Sequence, residues 1–309
     1  MQERIENMDL YLSLFNLSKK MRQSGGGKII YDILEDAGIR IAVSRFFNRR
    51  AVRRDEKHPT ERMQNSRIFF RQNQTRVRNI WKMLEDDESR EVFKRMIRFR
   101  CYSRYEDLPY NSMRKMYFYN EFFDYQQGEV FVDCGAYDGD TIIRFRRLMK
   151  KIGSYKIIGF EPDRTNYKNL VRNHPDITAI QAGVWSEDGV LAFAQNGSYS
   201  ATFLNAENMQ SDVKEDNVIK VPVRSLDQVA ECKDATFIKM DIEGSEYYAL
   251  VGARNVICKN KPKLAICMYH SDEDMLRLVE LIHEMVPEYR FYIRQHSNSV
   301  CETVLYAVY

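Results

Sequence analysis

The chain has 309 residues, 44% of them hydrophobic, enough for one α/β domain of about 200 residues and a further region of about 100. No run approaches the roughly 18 apolar residues of a membrane span, and the N-terminus lacks a signal peptide's basic start and apolar centre, so a cytoplasmic location is expected. The net charge of +3 hides an asymmetry: residues 40–82 hold thirteen Lys or Arg against Asp55, Glu56 and Glu61, a local +10 that leaves −7 for the remainder.

Residues 1–24 read as an amphipathic helix, with Ile5, Met8, Leu12 and Phe15 at spacings of three and four. Ser24 and three glycines break it. Ile29 follows Lys28 where a phosphate-binding loop needs Ser or Thr, so a flexible joint is the better reading. Residues 28–51 read as a helix and then a strand, with Gly38 between them. The basic stretch 45–78 carries Phe46, Phe47, Phe69 and Phe70. A solvated helical face with its apolar side on a neighbour is the first reading. A docking surface for a partner or an acidic polymer is second, and nucleic acid third. One amphipathic helix is expected over 80–98, with Ile80, Leu84, Val92 and Met96 inward and acids at its centre. Residues 102–125 are dense in aromatics, which suits packing between helices. A mainly helical region is therefore expected over 1–125 and a second domain over 126–309. The amphipathic N-terminal helices would also serve a homodimer.

From residue 129 strands and helices alternate, as in a doubly wound parallel sheet. Val130, Phe131 and Val132 form a buried strand; Gly135 and Gly139 break it; 141–151 is a helix. Strand, glycine turn and helix is how an α/β protein opens a nucleotide pocket. Asp133, Asp138 and Asp140 would repel a pyrophosphate, and the full Gly-x-Gly-x-x-Gly fingerprint is absent. S-adenosylmethionine fits better, because its sulfonium and ammonium groups favour nearby carboxylates. Further strands are expected at 155–160, 177–184, 235–240 and 263–268, and helices at 163–173, 246–256 and 273–286. Asp163 reads as a helix cap. Residues 190–194 and 218–223 would form a hairpin around the polar insert 195–217, and 290–294 with 303–308 a closing pair. A parallel sheet ending in a reversed pair is the arrangement of a methyltransferase fold.

Four places carry chemistry. Glu161 ends the second strand, 26 residues past Gly135, where an acid bonds ribose hydroxyls in nucleotide-binding units. Trp185 ends the third strand, where it would either meet an adenine ring or pack. Asp241 and Glu243 alternate with Met240 and Ile242 at the end of the fourth strand. They could hold the methionine ammonium, bind Mg²⁺ with water, or position an acceptor hydroxyl; the sequence itself gives Mg²⁺ no specific support. Glu246 would favour the start of the next helix. His270 follows the fifth strand on the same edge of the sheet and is the candidate general base, with substrate binding as its alternative. Cys101, Cys134, Cys232, Cys258, Cys267 and Cys301 include no Cys-x-x-Cys pair, so no zinc knuckle or disulfide framework is expected.

The stretches 132–140, 160–162, 225–227 and 238–246 together resemble the FkbM-type family of S-adenosylmethionine-dependent methyltransferases, over roughly residues 129–309. The resemblance implies a Rossmann-like, mostly parallel sheet with a reversed C-terminal strand pair. It implies O-methylation of a small-molecule or glycan acceptor, a sugar, polysaccharide or natural product. It places Asp133 and Gly135 in the cofactor loop, Glu161 on ribose, and Asp241 with Glu243 at the reaction centre. Leu226 and Asp227 match a Leu-Asp element that can also be a helix cap. The expected cofactor set is Asp133, Gly135, Tyr137, Asp138, Glu161, Pro162, Trp185, Asp241 and Glu243, and the catalytic pair is His270 with Asp241. A catalytically silent cofactor-binding module with a basic docking arm is the alternative. An NAD-dependent oxidoreductase is disfavoured by the acidic loop.

Overall fold

A computed structural model of the protein describes residues 60–103, 108, 115–119, 121–194, 202–204, 218–297 and 301–309. The elements expected over 1–51, the start of the basic stretch and most of the insert 195–217 lie outside the described residues. The chain divides into two units: Met1–Phe118 with Ile293–Val304, and Tyr119–Tyr292 with Leu305–Tyr309.

In the first unit three helices are described: α1 (Glu61–Gln72), α2 (Gln74–Met83) and α3 (Asp87–Tyr102). Along α1 and α2, Met63, Phe70 and Ile80 are buried while Arg62, Arg71 and Arg78 face solvent, so the described part of the basic stretch is a solvated face. The single helix expected over 80–98 is two. Asp86 lies in extended conformation between them and accepts the Ser89 N–H at 2.7 Å. The acids placed at the centre of a helix are instead the cap and first turn of α3, where a negative charge meets the positive end of the helix dipole. Arg294 also binds Asp86, at 2.6 Å.

The main sheet has the order β10-β11-β9-β8-β1-β2-β3, and all of its strands except parts of β10 and β11 lie in the second unit. Its strands are β1 (Glu129–Cys134), β2 (Tyr155–Phe160), β3 (Thr178–Ile180), β8 (Phe237–Met240), β9 (Lys263–Cys267), β10 (Arg290–Gln295) and β11 (Thr303–Val308). The pairs β1–β2, β2–β3, β1–β8 and β8–β9 are parallel. The link from β10 to β11 is too short for a parallel crossover, so these neighbours form a hairpin. Every residue of β1 is buried, which suits a central strand covered on both faces by helices. Those helices are α4 (Asp140–Met149), α5 (Arg164–Asn173), α6 (Glu246–Val251), α7 (Arg254–Asn260) and α8 (Asp274–Met285). The sheet is the mostly parallel, Rossmann-like methyltransferase sheet expected. Phe131, Phe145, Phe237 and Phe123 pack in its core, and Phe122 stacks on Tyr292 at 4.2 Å, so the described members of the aromatic stretch serve packing.

Two further expected elements are broken in the structure. The third strand ends at Ile180, and β4 (Gly183–Val184) joins a second sheet, β4-β7-β5-β6. There β5 (Gly189–Ala194) pairs antiparallel with β7 (Val218–Arg224), the hairpin expected, and β6 (Thr202–Leu204) within the insert adds a strand. The helix expected over 246–256 is split between α6 and α7 at Gly252 and Ala253, where Gly252 lies close against the Trp185 carbonyl. A β-carbon at residue 252 would lie 2.1 Å from that oxygen.

Candidate active site

In an open α/β sheet, ligands sit beyond the carboxyl ends of the strands where the strand order reverses. Here those ends are the β1–α4 loop, the end of β2 and the turns after β8 and β9. The β1–α4 loop packs directly on the β8 turn. Gly135 has φ +79°, and a β-carbon there would stand 2.1 Å from the Asp241 carbonyl oxygen, so only glycine fits. The Asp241 N–H donates to the Cys134 carbonyl at 3.2 Å, tying the two acidic motifs together.

Below the loop lies a buried ion pair that the sequence reading missed. Asp133 and Lys239 are register partners on β1 and β8, and Nζ of Lys239 stands 3.0 Å from Oδ1 of Asp133. The ammonium also donates to the Gly135 carbonyl at 2.8 Å and the Cys134 carbonyl at 3.3 Å. Burial works against the Lys239 charge, but Asp133 and Asp241 outweigh it and hold the ammonium above its ordinary range. Burial likewise pushes the Asp133 carboxyl up while Lys239 pulls it down. Asp133 thus supports the loop from beneath, fully buried. A lysine inside an otherwise apolar buried strand was the available signal, since it demands a buried partner.

Glu161 joins the loop to β2. One carboxylate oxygen accepts the Tyr137 N–H and the other the Asp163 N–H, each at 2.9 Å. Burial pushes its carboxyl up from 4.5 to about 7, against the pull of those two N–H groups. Tyr137 has φ +50° and stands 40% exposed on the rim; Asp138 follows it, half-buried. Pro162 separates Glu161 from Asp163. Asp163 is a cap, accepting from Thr165 and Asn166 of α5. Asp227 is also a cap: its two oxygens accept the Asn255 and Val256 N–H groups of α7. Trp185 is 8% exposed, stacks on Tyr248 at 4.2 Å and 18°, and packs with Val221 and Val223. Packing is the role these contacts give it.

The turns after β8 and β9 bring Asp241, Glu243, Glu246 and His270 together. Nε2 of His270 stands 3.1 Å from Oε1 of Glu246 and 3.7 Å from Oδ1 of Asp241; Nδ1 stands 3.7 Å from Oε2 of Glu243. The Tyr269 hydroxyl donates to Asp241 Oδ1 at 3.0 Å. Burial disfavours a charged imidazole, yet Glu246 and Asp241 outweigh it and raise His270 well above 6.5. Burial, then Asp241 and Glu246, pushes the Glu243 carboxyl up to about 7, against the pull of His270. Glu243 has φ +56°, a backbone state that costs about 1 kcal/mol or more outside glycine and clusters at functional sites. Glu246 was read from sequence as a helix-start charge; it is fully buried, and its Oε1 accepts the Ile242 N–H at 2.8 Å.

The family model described as the Methyltransferase FkbM domain matches residues 133–299. A crystal structure of methyltransferase FkbM from Methylobacillus flagellatus KT superposes with a TM-score of 0.65 at 27% identity, over 78% of this chain and 60% of that one. The chain thus spans 60% of the length of that relative. A putative rRNA-methylase from Clostridium thermocellum (11% identity, 61% of this chain and 90% of that chain, TM-score 0.34) aligns weakly. So does a precorrin-6y C5,15-methyltransferase from Geobacter metallireducens GS-15 (12%, 59% and 79%, TM-score 0.34). No curated protein matches the chain.

Proposed function

The chain belongs to the FkbM methyltransferase family, and on that premise we propose that it is an S-adenosylmethionine-dependent O-methyltransferase whose acceptor is a hydroxyl of a sugar, polysaccharide or natural product. The observation that carries the reading is the one-sided cluster of carboxylates around the glycine loop. A cofactor with a sulfonium and an ammonium group is favoured there, and a pyrophosphate is not. In this reading Glu161 accepts from the ribose hydroxyls. Gly135, Tyr137, Asp138 and Pro162 form the wall along the nucleoside, over the Asp133–Lys239 pair. Asp241 and Glu243 face the methionine ammonium, and Asp241 with His270 activates the acceptor.

The transfer is a single displacement. When bound, S-adenosylmethionine would supply the methyl group to the acceptor oxygen and keep the sulfonium's bonding electrons as a thioether. The hydroxyl proton would pass to the Asp241–His270 pair, whose carboxylate oxygen and imidazole nitrogen stand 3.7 Å apart. The side chains on the β8 and β9 turns hold the oxygen in line with the methyl group, the positioning that dominates such reactions.

Calorimetric titration tests the reading. S-adenosylmethionine is expected to bind one-to-one and NAD not at all. Glu161→Ala should lose the binding, while His270→Ala keeps it and loses methyl transfer to sugar fractions of a cell extract. NAD binding instead, or a Glu161→Ala variant that binds normally, would overturn it. Cofactor binding with no methyl transfer to any fraction would turn the reading to a silent binding module.

A further inference from the structure

We propose that Asp241, Glu246 and His270 form a binding site for one first-row divalent metal ion of the Mn²⁺ class, on which the acceptor hydroxyl is activated. The inference rests on the methyltransferase reading for its purpose, and on geometry alone for its existence.

One donor atom from each of the three residues lies within 4.8 Å of the others. His270 Nε2 is 3.1 Å from Glu246 Oε1 and 3.7 Å from Asp241 Oδ1. Donors each about 2.1 Å from one ion stand about 3.0–3.4 Å apart in octahedral or tetrahedral arrangement, so a small inward movement completes the site. A second observation points the same way. Glu246 is fully buried, yet its Oε2 has no hydrogen-bond partner among the described residues. A buried carboxylate oxygen is costly unless paired or bound to a cation.

The surroundings are those that orient metal ligands. The Tyr269 hydroxyl fixes Asp241, the Ile242 N–H fixes Glu246, and Glu243 stands behind Nδ1 of His270 at 3.7 Å. A carboxylate behind a ligating imidazole sets its tautomer and ring orientation. One imidazole with two carboxylates selects a first-row ion over Ca²⁺ and Mg²⁺, which prefer oxygen alone. The ion would sit at the ends of β8 and β9 with positions left open for the acceptor. A hydroxyl bound there loses its proton to water more readily, so His270 would act on the acceptor through the metal.

The test needs no cofactor. The full chain is stripped with a chelator and titrated with Mn²⁺, followed by calorimetry and by the electron paramagnetic resonance signal of free Mn²⁺. One ion per chain is expected, with His270→Ala and Glu246→Gln each abolishing the binding. Glu243→Gln, which removes only the orienting charge, is expected to weaken it about 10- to 100-fold. Circular dichroism and the urea midpoint establish that each variant is folded. His270→Asn serves as the second variant where Glu246→Gln fails to fold. Absence of Mn²⁺ binding would overturn the proposal, as would binding untouched by His270→Ala or matched by Ca²⁺. Mn²⁺ binding without S-adenosylmethionine binding would sink the function instead, so the two failures are distinct.

Discussion

Glu161 does two jobs with one carboxylate. It holds Tyr137 and Asp163 by their N–H groups, and in the proposed function it would also accept from the ribose hydroxyls. The folded chain holds the Glu161 proton up to about pH 7, whereas an unfolded chain releases it near 4.5. The sign follows: its contribution to stability is full below about pH 4.5 and lost as pH rises through 7. The stability of the protein relative to Glu161→Gln should therefore fall by about 2–3 kcal/mol between pH 5 and pH 8, read from urea unfolding at both. Cofactor affinity should move the opposite way, rising across the same interval as the accepting carboxylate forms. Lys239 shows a different lesson at this scale. Its charge is sustained by Asp133 and two loop carbonyls, so a residue that makes no contact with solvent shapes the loop that does.

Elements broke where side chains or close backbone contacts outvoted periodicity. The apolar spacing of Ile80, Leu84, Val92 and Met96 is helical throughout, but Asp86 caps α3 and ends the pattern. At the end of α6, Gly252 lies against the Trp185 carbonyl, a contact between segments far apart in sequence. Gly252→Ala is expected to cost about 1–3 kcal/mol or more, since backbone must move on one side. Gly189→Ala is the comparison: its β-carbon would meet only Val223 at 4.0 Å, and it should fall within about 0.5 kcal/mol of the parent. Equal costs in urea unfolding would refute the close-contact account. The motifs on β1 and β8 were readable because each ends a short apolar strand in a burst of acids and glycine. Glu246 does open α6 as read, and that local explanation hid its burial against His270.

For the molecule as a whole, the proposed cofactor site joins four strand ends of the second unit, so its occupation is linked to folding of that unit. S-adenosylmethionine at 100 times its dissociation constant should stabilise the fold by about 2.7 kcal/mol, and NAD at the same concentration should not. Thermal unfolding with each ligand reads this directly; equal shifts, or none with S-adenosylmethionine, would contradict it. Among the described residues no helix is long and apolar enough to cross a membrane.

The sequence by itself determined the alternation of strands and helices, the parallel sheet, the glycine loop and the identity of the acids around it. Those features are local: period, turn residues and strand ends are written in consecutive positions. Only the tertiary structure decided what the acids face. Asp133 and Lys239 are separated by about a hundred positions and meet because β1 and β8 are parallel neighbours in register. Asp241, Glu246 and His270 converge because β8 and β9 end side by side. Side-chain partners across a parallel sheet depend on strand order and register, and no run of consecutive residues encodes them.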